Sequence, residues 1–352
     1  MTAESGTAIS NPPIDHEWLA KYHEAILDPA LPIIDPHHHL WDRPGFRYLL
    51  AELLEDIDSG HNVRGTVYVE SGSMYRQHGT PHLRVVGETE FANGIAAMSA
   101  SGAYGEVRVG AGIIGYADFC MGDAVTEVID AHVAAGGARL CGIRQSTAWD
   151  ASAALHFPYP YPKRPIFPRM MGDEKFGEGF GCLARYGLAY EAWLYHTQLP
   201  ELAKLARSFP TTTIVVDHIG GAVKVGPYLG CDDSVYTAWK ADIAEVARYP
   251  NVFLKIGGFG MRSAGYDLPA RPTPSSSEEL AAMWRPFVET CVETFGPERC
   301  MFESNFPVDK GSVSYAVLWN AFKRLASGYS AGEKSALFSE TARRVYGLKD
   351  VN

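Results

Sequence analysis

Apolar positions along this chain fall into two alternating patterns. Eight short, nearly continuous apolar runs stand out: "PIIDPHH" (32–38), "VRGTVYVE" (63–70), "VRVGAGIIGY" (107–116), "LCGIRQS" (140–146), "LAYEAWLY" (188–195), "TTIVVDHI" (212–219), "NVFLKIGG" (251–258) and "CMFESNF" (300–306). Runs of this kind suit parallel strands buried on both faces. Between them lie stretches with apolar residues at helical spacing: "DHEWLAKYHEAILDP" (15–29), "DAVTEVIDAHVAAG" (123–136), "LPELAKLARSFP" (199–210), "SSEELAAMWRPFVETCVETFG" (276–296) and "SVSYAVLWNAFKRLAS" (312–327). Strand-then-helix units repeated eight times predict an α/β protein with a (β/α)8 TIM barrel. An open doubly wound sheet would instead place a Gly-rich phosphate turn after the first strand, and "HHHLWDRPG" is nothing like one. The expected layout is a tail and helix over 1–30 and one barrel over 31–348. Long loops follow the fourth strand (147–187) and the seventh (259–275). The first is dense in Pro and aromatics, with "HFPYPYPKRPIFPRMMG", and reads as a lid or a contact between copies.

Composition narrows the function classes. The 352 residues are 46% hydrophobic and 20% charged, enough for a large core, and the formal charge is −10. That charge argues against a nucleic-acid partner, which needs a basic patch. No apolar run is long enough to cross a bilayer, and the first residues lack the basic-then-apolar pattern of a secretory signal. The six cysteines are scattered without a C-x-x-C pair and read as reduced thiols. The expectation is a cytoplasmic protein acting on a small-molecule substrate, without nucleic-acid or membrane partners, and with a homo-oligomer as a further expectation.

The chemistry concentrates at the strand ends. In "LPIIDPHHHLWDRP" (31–44), strand alternation puts His37 and His39 on one face with Asp35 and turns His38 the other way. Two imidazoles at i and i+2 converge on one small object, a metal ion or a substrate oxygen. The later runs end in Glu70, Arg144 with Gln145, Tyr195 with His196, Asp217 with His218, Lys255, and Glu303 with Asn305. In a parallel barrel these ends surround one cavity. Buried polar groups are costly unless paired, so such a collection points to an active site. Arg144 suits either a salt bridge to Glu70 or a fork aimed at an anionic substrate. Lys255 reads as a salt bridge at the barrel mouth. Trp41, Tyr195 and Phe306 are candidates for the pocket wall. His78, His82, His132 and His156 read as solvated.

The D-x-H-x-H of Asp35, His37 and His39 resembles the amidohydrolase superfamily. "GIRQ" (142–145), "VVDHIGG" (215–221) and "MFESNFPVD" (301–309) are similar to its amidohydrolase-2 group of TIM-barrel hydrolases, and to the lactonase branch of that group, which holds sugar lactonases and 2-pyrone-4,6-dicarboxylate lactonase. The resemblance runs from about residue 31 to about 347. It implies His37 and His39 as first-strand site histidines, His196 as the fifth-strand histidine, His218 as the sixth-strand histidine, and Arg144 as an anchor for a substrate carboxylate or carbonyl. It also implies a hydrolase that opens a lactone or similar cyclic ester of a small anionic substrate; from their strand-end positions Glu70, Tyr195 and Trp41 are expected to join Arg144 in binding it.

One position departs from the family pattern. Asn305 stands where the eighth strand should carry an Asp, and Asn has no useful basicity and binds metals weakly. Three readings follow. Glu303, or Glu70, serves as the base. Alternatively His218 or His196 takes the proton while Asn305 orients water or substrate. Lastly, the site binds or performs other chemistry, as a decarboxylase, a hydratase or a non-hydrolytic binding protein. The cofactor expected is one divalent metal ion, zinc foremost, on His37, His39 and His196, with a metal-free site as the alternative.

Overall fold

The computed structural model describes residues 11–156 and 164–351. Eight strands form one sheet: β1 (Pro32–His38), β2 (Asn62–Val69), β3 (Arg108–Tyr116), β4 (Leu140–Arg144), β5 (Ala189–Ala192), β6 (Ile214–Val216), β7 (Val252–Ile256) and β8 (Cys300–Phe302). They are hydrogen-bonded in sequence order, and every neighbouring pair is parallel. The seam between β8 and β1 is carried just beyond the strand ends, where His39 N donates to Phe306 O (2.8 Å) and Asn305 N to His37 O (3.0 Å). A helix follows each strand, from Leu50–Ile57 after β1 to Tyr315–Leu325 after β8. The result is a nearly closed (β/α)8 barrel. Among the described residues no helix is long and apolar enough to cross a membrane.

The lumen is graded along its axis. Ile34, Val67, Ile114, Val215 and Met301, from five different strands, pack together at the N-terminal end of the barrel. The C-terminal segment closes that end with Tyr346, Leu348 and Val351. Val351 comes so close to β2 that a Cβ on Gly65 would lie 2.8 Å from its Cγ2. Two residues further along the strands the same face turns polar, as strand alternation requires: Glu191, Asp217, Lys255 and Glu303 replace the apolar layer and are fully buried.

Three expectations need correction. Only His16–Leu19 of the stretch 15–29 is helical. The rest lies along helix Tyr315–Leu325, whose side chains satisfy its backbone: Asn320 Oδ1 accepts from Leu27 N (2.8 Å), and Lys323 Nζ donates to Leu27 O and Asp28 O (2.8 and 2.9 Å). Asp35 does not share a face with His37. One extra residue in β1, between the pairs Asp35↔Thr66 and His38↔Tyr68, forms a bulge. It leaves Asp35 accepting from Ser304 N (3.0 Å) and Tyr315 Oη (3.1 Å). His132 is buried, not solvated, between Thr89 Oγ1 and Tyr116 O (2.8 Å each).

Candidate active site

The β1 bulge delivers His37 and His39 to the lumen together, with their Nε2 atoms 3.2 Å apart. His38 points outward to Thr66 Oγ1 (2.8 Å). His39 is oriented by Val69 O, 2.7 Å from its Nδ1. His37 lies deeper, at the centre of a charged layer. Glu303 Oε2 is 2.8 Å from its Nδ1, Lys255 Nζ 3.3 Å and Asp217 Oδ1 3.6 Å. Burial, with the Lys255 charge beside it, keeps the His37 imidazole below its usual pKa despite Glu303 and Asp217. Burial holds His39 well below as well.

Glu303 joins two histidines. Its second oxygen, Oε1, accepts from His218 Nδ1 (2.6 Å) and His218 N (3.1 Å). Burial would raise this carboxyl, but His218 and His37 outweigh it and bring it down to about 2. The loop after β6 turns His218 inward through left-handed backbone at four consecutive residues, with φ 53, 51, 73 and 59 at His218, Ile219, Gly220 and Gly221. Such strain in a non-glycine residue persists only where its surroundings impose it. Here Gly257 and Gly258, after β7, leave the room required. A Cβ on Gly257 would stand 2.4 Å from Glu303 Cγ, and one on Gly258 2.6 Å from His218 Cβ.

Beneath this pair Lys255 meets Glu191 at 2.6 Å and Asp217 at 3.4 Å. Burial would lower its pKa, but these carboxylates and Glu303 raise it instead, so it is a charged ammonium deep in the lumen rather than a salt bridge at the mouth. Arg144 binds Glu70 through Nε (2.7 Å) and through the Glu70 carbonyl, and reaches Asp217 at 3.4 Å. Arg164, from the insertion after β4, grips the other Glu70 oxygen at 2.5 Å and lies 3.9 Å over the Tyr116 ring. Four carboxylates (Glu70, Glu191, Asp217, Glu303) thus face three cations (Arg144, Arg164, Lys255) in one buried network.

Above it opens a cavity of about 270 Å³. His39, Arg144, His218 and Asn305 reach it from the floor, and Trp41 and Tyr195 form part of its wall. Asn305 Nδ2 donates to Asp309 Oδ1 (2.8 Å), which turns the amide oxygen away from Asp309. Glu70 and Glu303 sit below the cavity lining, each with both oxygens at ion-pair distance from Arg144 and Arg164 or from His218 and His37. His196 does not join His37 and His39. β5 ends at Ala192, so its lumen-facing side chain is Glu191. His196 follows in a short 3-10 turn, packed on Tyr228 and 3.4 Å from Val223 N. The described groups with ligand atoms close enough to share an ion are His37–His218–Glu303 and His37–Glu191–Asp217.

The donor set suits one divalent ion. Two imidazole nitrogens 3.2 Å apart match the separation of two nitrogens each about 2.0–2.1 Å from a tetrahedral ion. Glu303 Oε2 and Asp217 Oδ1 are buried without an aligned hydrogen-bond donor, although His37 lies near both. Lys255, 3.3 Å from His37, pairs with Glu191 and Asp217 of the other group.

Sequence reasoning passed over four contributors. Arg164 is one of few cations in an aromatic insertion. Asp309 lies four residues beyond Asn305. Trp193 follows β5 directly and packs edge-on to His218, with centroids 4.9 Å apart. Arg43 sits on an unforeseen hairpin pairing Trp41–Arg43 with Phe46–Tyr48. Of the Pro- and aromatic-rich insertion after β4, residues 157–163 lie outside the described residues.

Comparison with known proteins agrees with this geometry. A family model described as Amidohydrolase matches residues 34–348. An uncharacterized protein of Sinorhizobium fredii, y4mH, is 33% identical over 336 residues, covering 89% of this chain and 98% of that protein. An L-fucono-1,5-lactonase of Burkholderia multivorans is 24% identical over 323 residues, covering 90% and 96%. A crystal structure of a Burkholderia multivorans amidohydrolase with bound zinc superposes with a TM-score of 0.67 at 23% identity, covering 90% of this chain and 99% of that one. By the extent of the family match, and by a relative similar over nearly its whole length, the chain belongs to the amidohydrolase family.

Proposed function

We propose that this amidohydrolase opens a lactone or similar cyclic ester of a small anionic substrate, with His218 as the proton acceptor. The observation that carries this reading is the His218–Glu303 pair under the cavity floor. Glu303 holds Nδ1 at 2.6 Å, which fixes the tautomer and leaves Nε2 for the cavity. A general base must reach the proton it removes. Glu303 lies beneath the lining with both oxygens against imidazoles, so it is a positioning carboxylate rather than the base.

Water enters between His218 and the substrate carbonyl, and His218 takes its proton as the carbon–oxygen bond forms. The carboxylate of Glu303 stabilises the imidazolium that results. Arg144, locked by Glu70, presents positive charge toward the developing oxyanion. The Asn305 amide oxygen accepts a hydrogen bond from the water or from a substrate hydroxyl. His218 then returns the proton to the ring oxygen as the ester bond breaks. An ion such as zinc would be held by His37 and His39 through the Nε2 atoms that lie 3.2 Å apart, and would supply further positive charge at the carbonyl.

The test is proton release from a panel of small lactones, comparing the wild type with His218→Asn and measuring metal content. The proposal expects turnover by the wild type, loss in the variant, and at most one divalent ion per chain. A wild type that turns over none of the lactones but decarboxylates or hydrates an acid would assign the site to lyase chemistry. Binding without turnover would assign it to recognition.

A further inference from the structure

We infer that the chain ahead of β1 forms one wall of the active site, and that Asn11 on it limits the cavity to a single-ring substrate. This segment precedes residues 34–348, which the family model matches, so the barrel pattern does not account for it. Asn11 nevertheless lines the cavity, together with Met261 after β7 and Val308 after β8. Asn11 and Pro12 are both buried. The residues that follow Asn11 serve a different space. Pro12 and Pro13 line a neighbouring cavity of about 450 Å³, and Met261 lines both cavities. The segment and Met261 therefore stand between two hollows that would otherwise join.

Two attachments hold the segment there. Pro12 packs on Gly311, beyond β8. A Cβ on Gly311 would lie 2.4 Å from Pro12 O, and the three atoms nearest to it all belong to Pro12. Further along, Trp18 is buried, and its Nε1 donates to Arg271 O at 2.8 Å in the loop after β7. Asp15 accepts from Trp18 N at 2.9 Å between the two attachments. Consecutive prolines stiffen the chain, so holding it against the barrel costs less conformational entropy. With this wall in place the cavity measures about 270 Å³, below the about 300–1,000 Å³ of sites that take drug-sized molecules. One ring with short substituents fills it. A second ring needs the neighbouring volume, and Asn11 and Pro12 stand in the way. Asn11 thus determines specificity through the space it occupies.

The size readout rests on the lactone reading, and a second readout does not. The first experiment compares kcat/KM for a single-ring lactone and the same lactone bearing a second ring. It uses the wild type, Asn11→Ala and Gly311→Ala, each checked for fold by circular dichroism. The wild type should favour the single ring, and this ratio should fall by about 10-fold or more in both variants, through gain on the larger lactone. Gly311→Ala keeps Asn11 and moves only its support, so a matching fall there assigns the effect to the wall's position. A ratio unmoved in Asn11→Ala overturns the assignment, as does a wild type that turns over both lactones equally well. If the wild type hydrolyses no lactone, acrylamide quenching of tryptophan fluorescence decides. Trp149 and Trp193 are half-buried and the other tryptophans are buried. Both line the cavity, so quenching reads how far the cavity is closed. Steeper quenching in either variant than in the wild type upholds the wall while the lactone reading falls. Equal quenching in all three proteins overturns it.

Discussion

The two ends of the barrel lumen are built from the same strands on the same alternation, yet they do opposite work. At the N-terminal end Ile34, Val67, Ile114, Val215 and Met301 close on Leu348 and Val351. Two residues on, β6, β7 and β8 present Asp217, Lys255 and Glu303 in a layer with no solvent access. The first layer gains stability from apolar burial. The second meets the cost of buried charge by dense pairing, which also fixes each group in a single geometry. Stability and chemistry are thus separated by one strand repeat, and variants at the two ends should fail in different ways.

The largest effect should come from the polar end. His218→Asn is expected to lower kcat by about 10²–10⁴-fold with little change in melting temperature, as read by initial rates beside thermal unfolding. At the apolar end the pattern should invert. Leu348→Ala is expected to destabilise by about 2–5 kcal/mol in denaturant titration, while KM for any turned-over lactone stays the same. A changed KM would mean that the layers are mechanically coupled. Gly257→Ala sharpens the comparison, because its added methyl would press on Glu303. About 1–3 kcal/mol of overpacking is expected, together with a fall in kcat that Leu348→Ala does not share.

The smallest effect is a slope. Burial raises the Asp309 carboxyl from its ordinary value near 3.8 to about 7, against the hydrogen bonds from Gly260 and Asn305 that would lower it. Between those two values the folded chain keeps a proton that the unfolded chain releases, so this group's contribution to stability declines as pH rises through that window. Unfolding followed across pH 4–7 should flatten in Asp309→Asn. A Leu348→Ala curve should be displaced without changing shape.

Much of this was legible in the apolar pattern. Seven of the eight strands lie within their predicted runs and β2 begins one residue early, because parallel strands covered on both faces leave an apolar signature that little else imitates. The floor residues His37, His39, Arg144, His218 and Asn305 were legible for the related reason that polar groups ending such runs must share one opening. What escaped was set by tertiary geometry. A bulge in β1 moved Asp35 off the histidine face, and no local pattern announces one extra residue. The chain after β5 left the lumen before His196, so Glu191, inside the apolar run, took the inward place. The segment 20–29 kept its helical spacing but gave its backbone groups to Asn320 and Lys323. Glu303 was found, but not its contacts, since strand position says which way a carboxylate points and not that two imidazoles lie against it.

Asn305 has a consequence for descent. Its backbone lies at φ 55, in the left-handed region that few side chains other than Asn, Asp and His enter readily. The loop therefore filters which residues can occupy the position at all. Asn and Asp both pass, and they are one nucleotide apart. A lineage can exchange an amide for a carboxylate at the mouth of the barrel in a single step, changing the charge of the site while the loop that holds it keeps its shape.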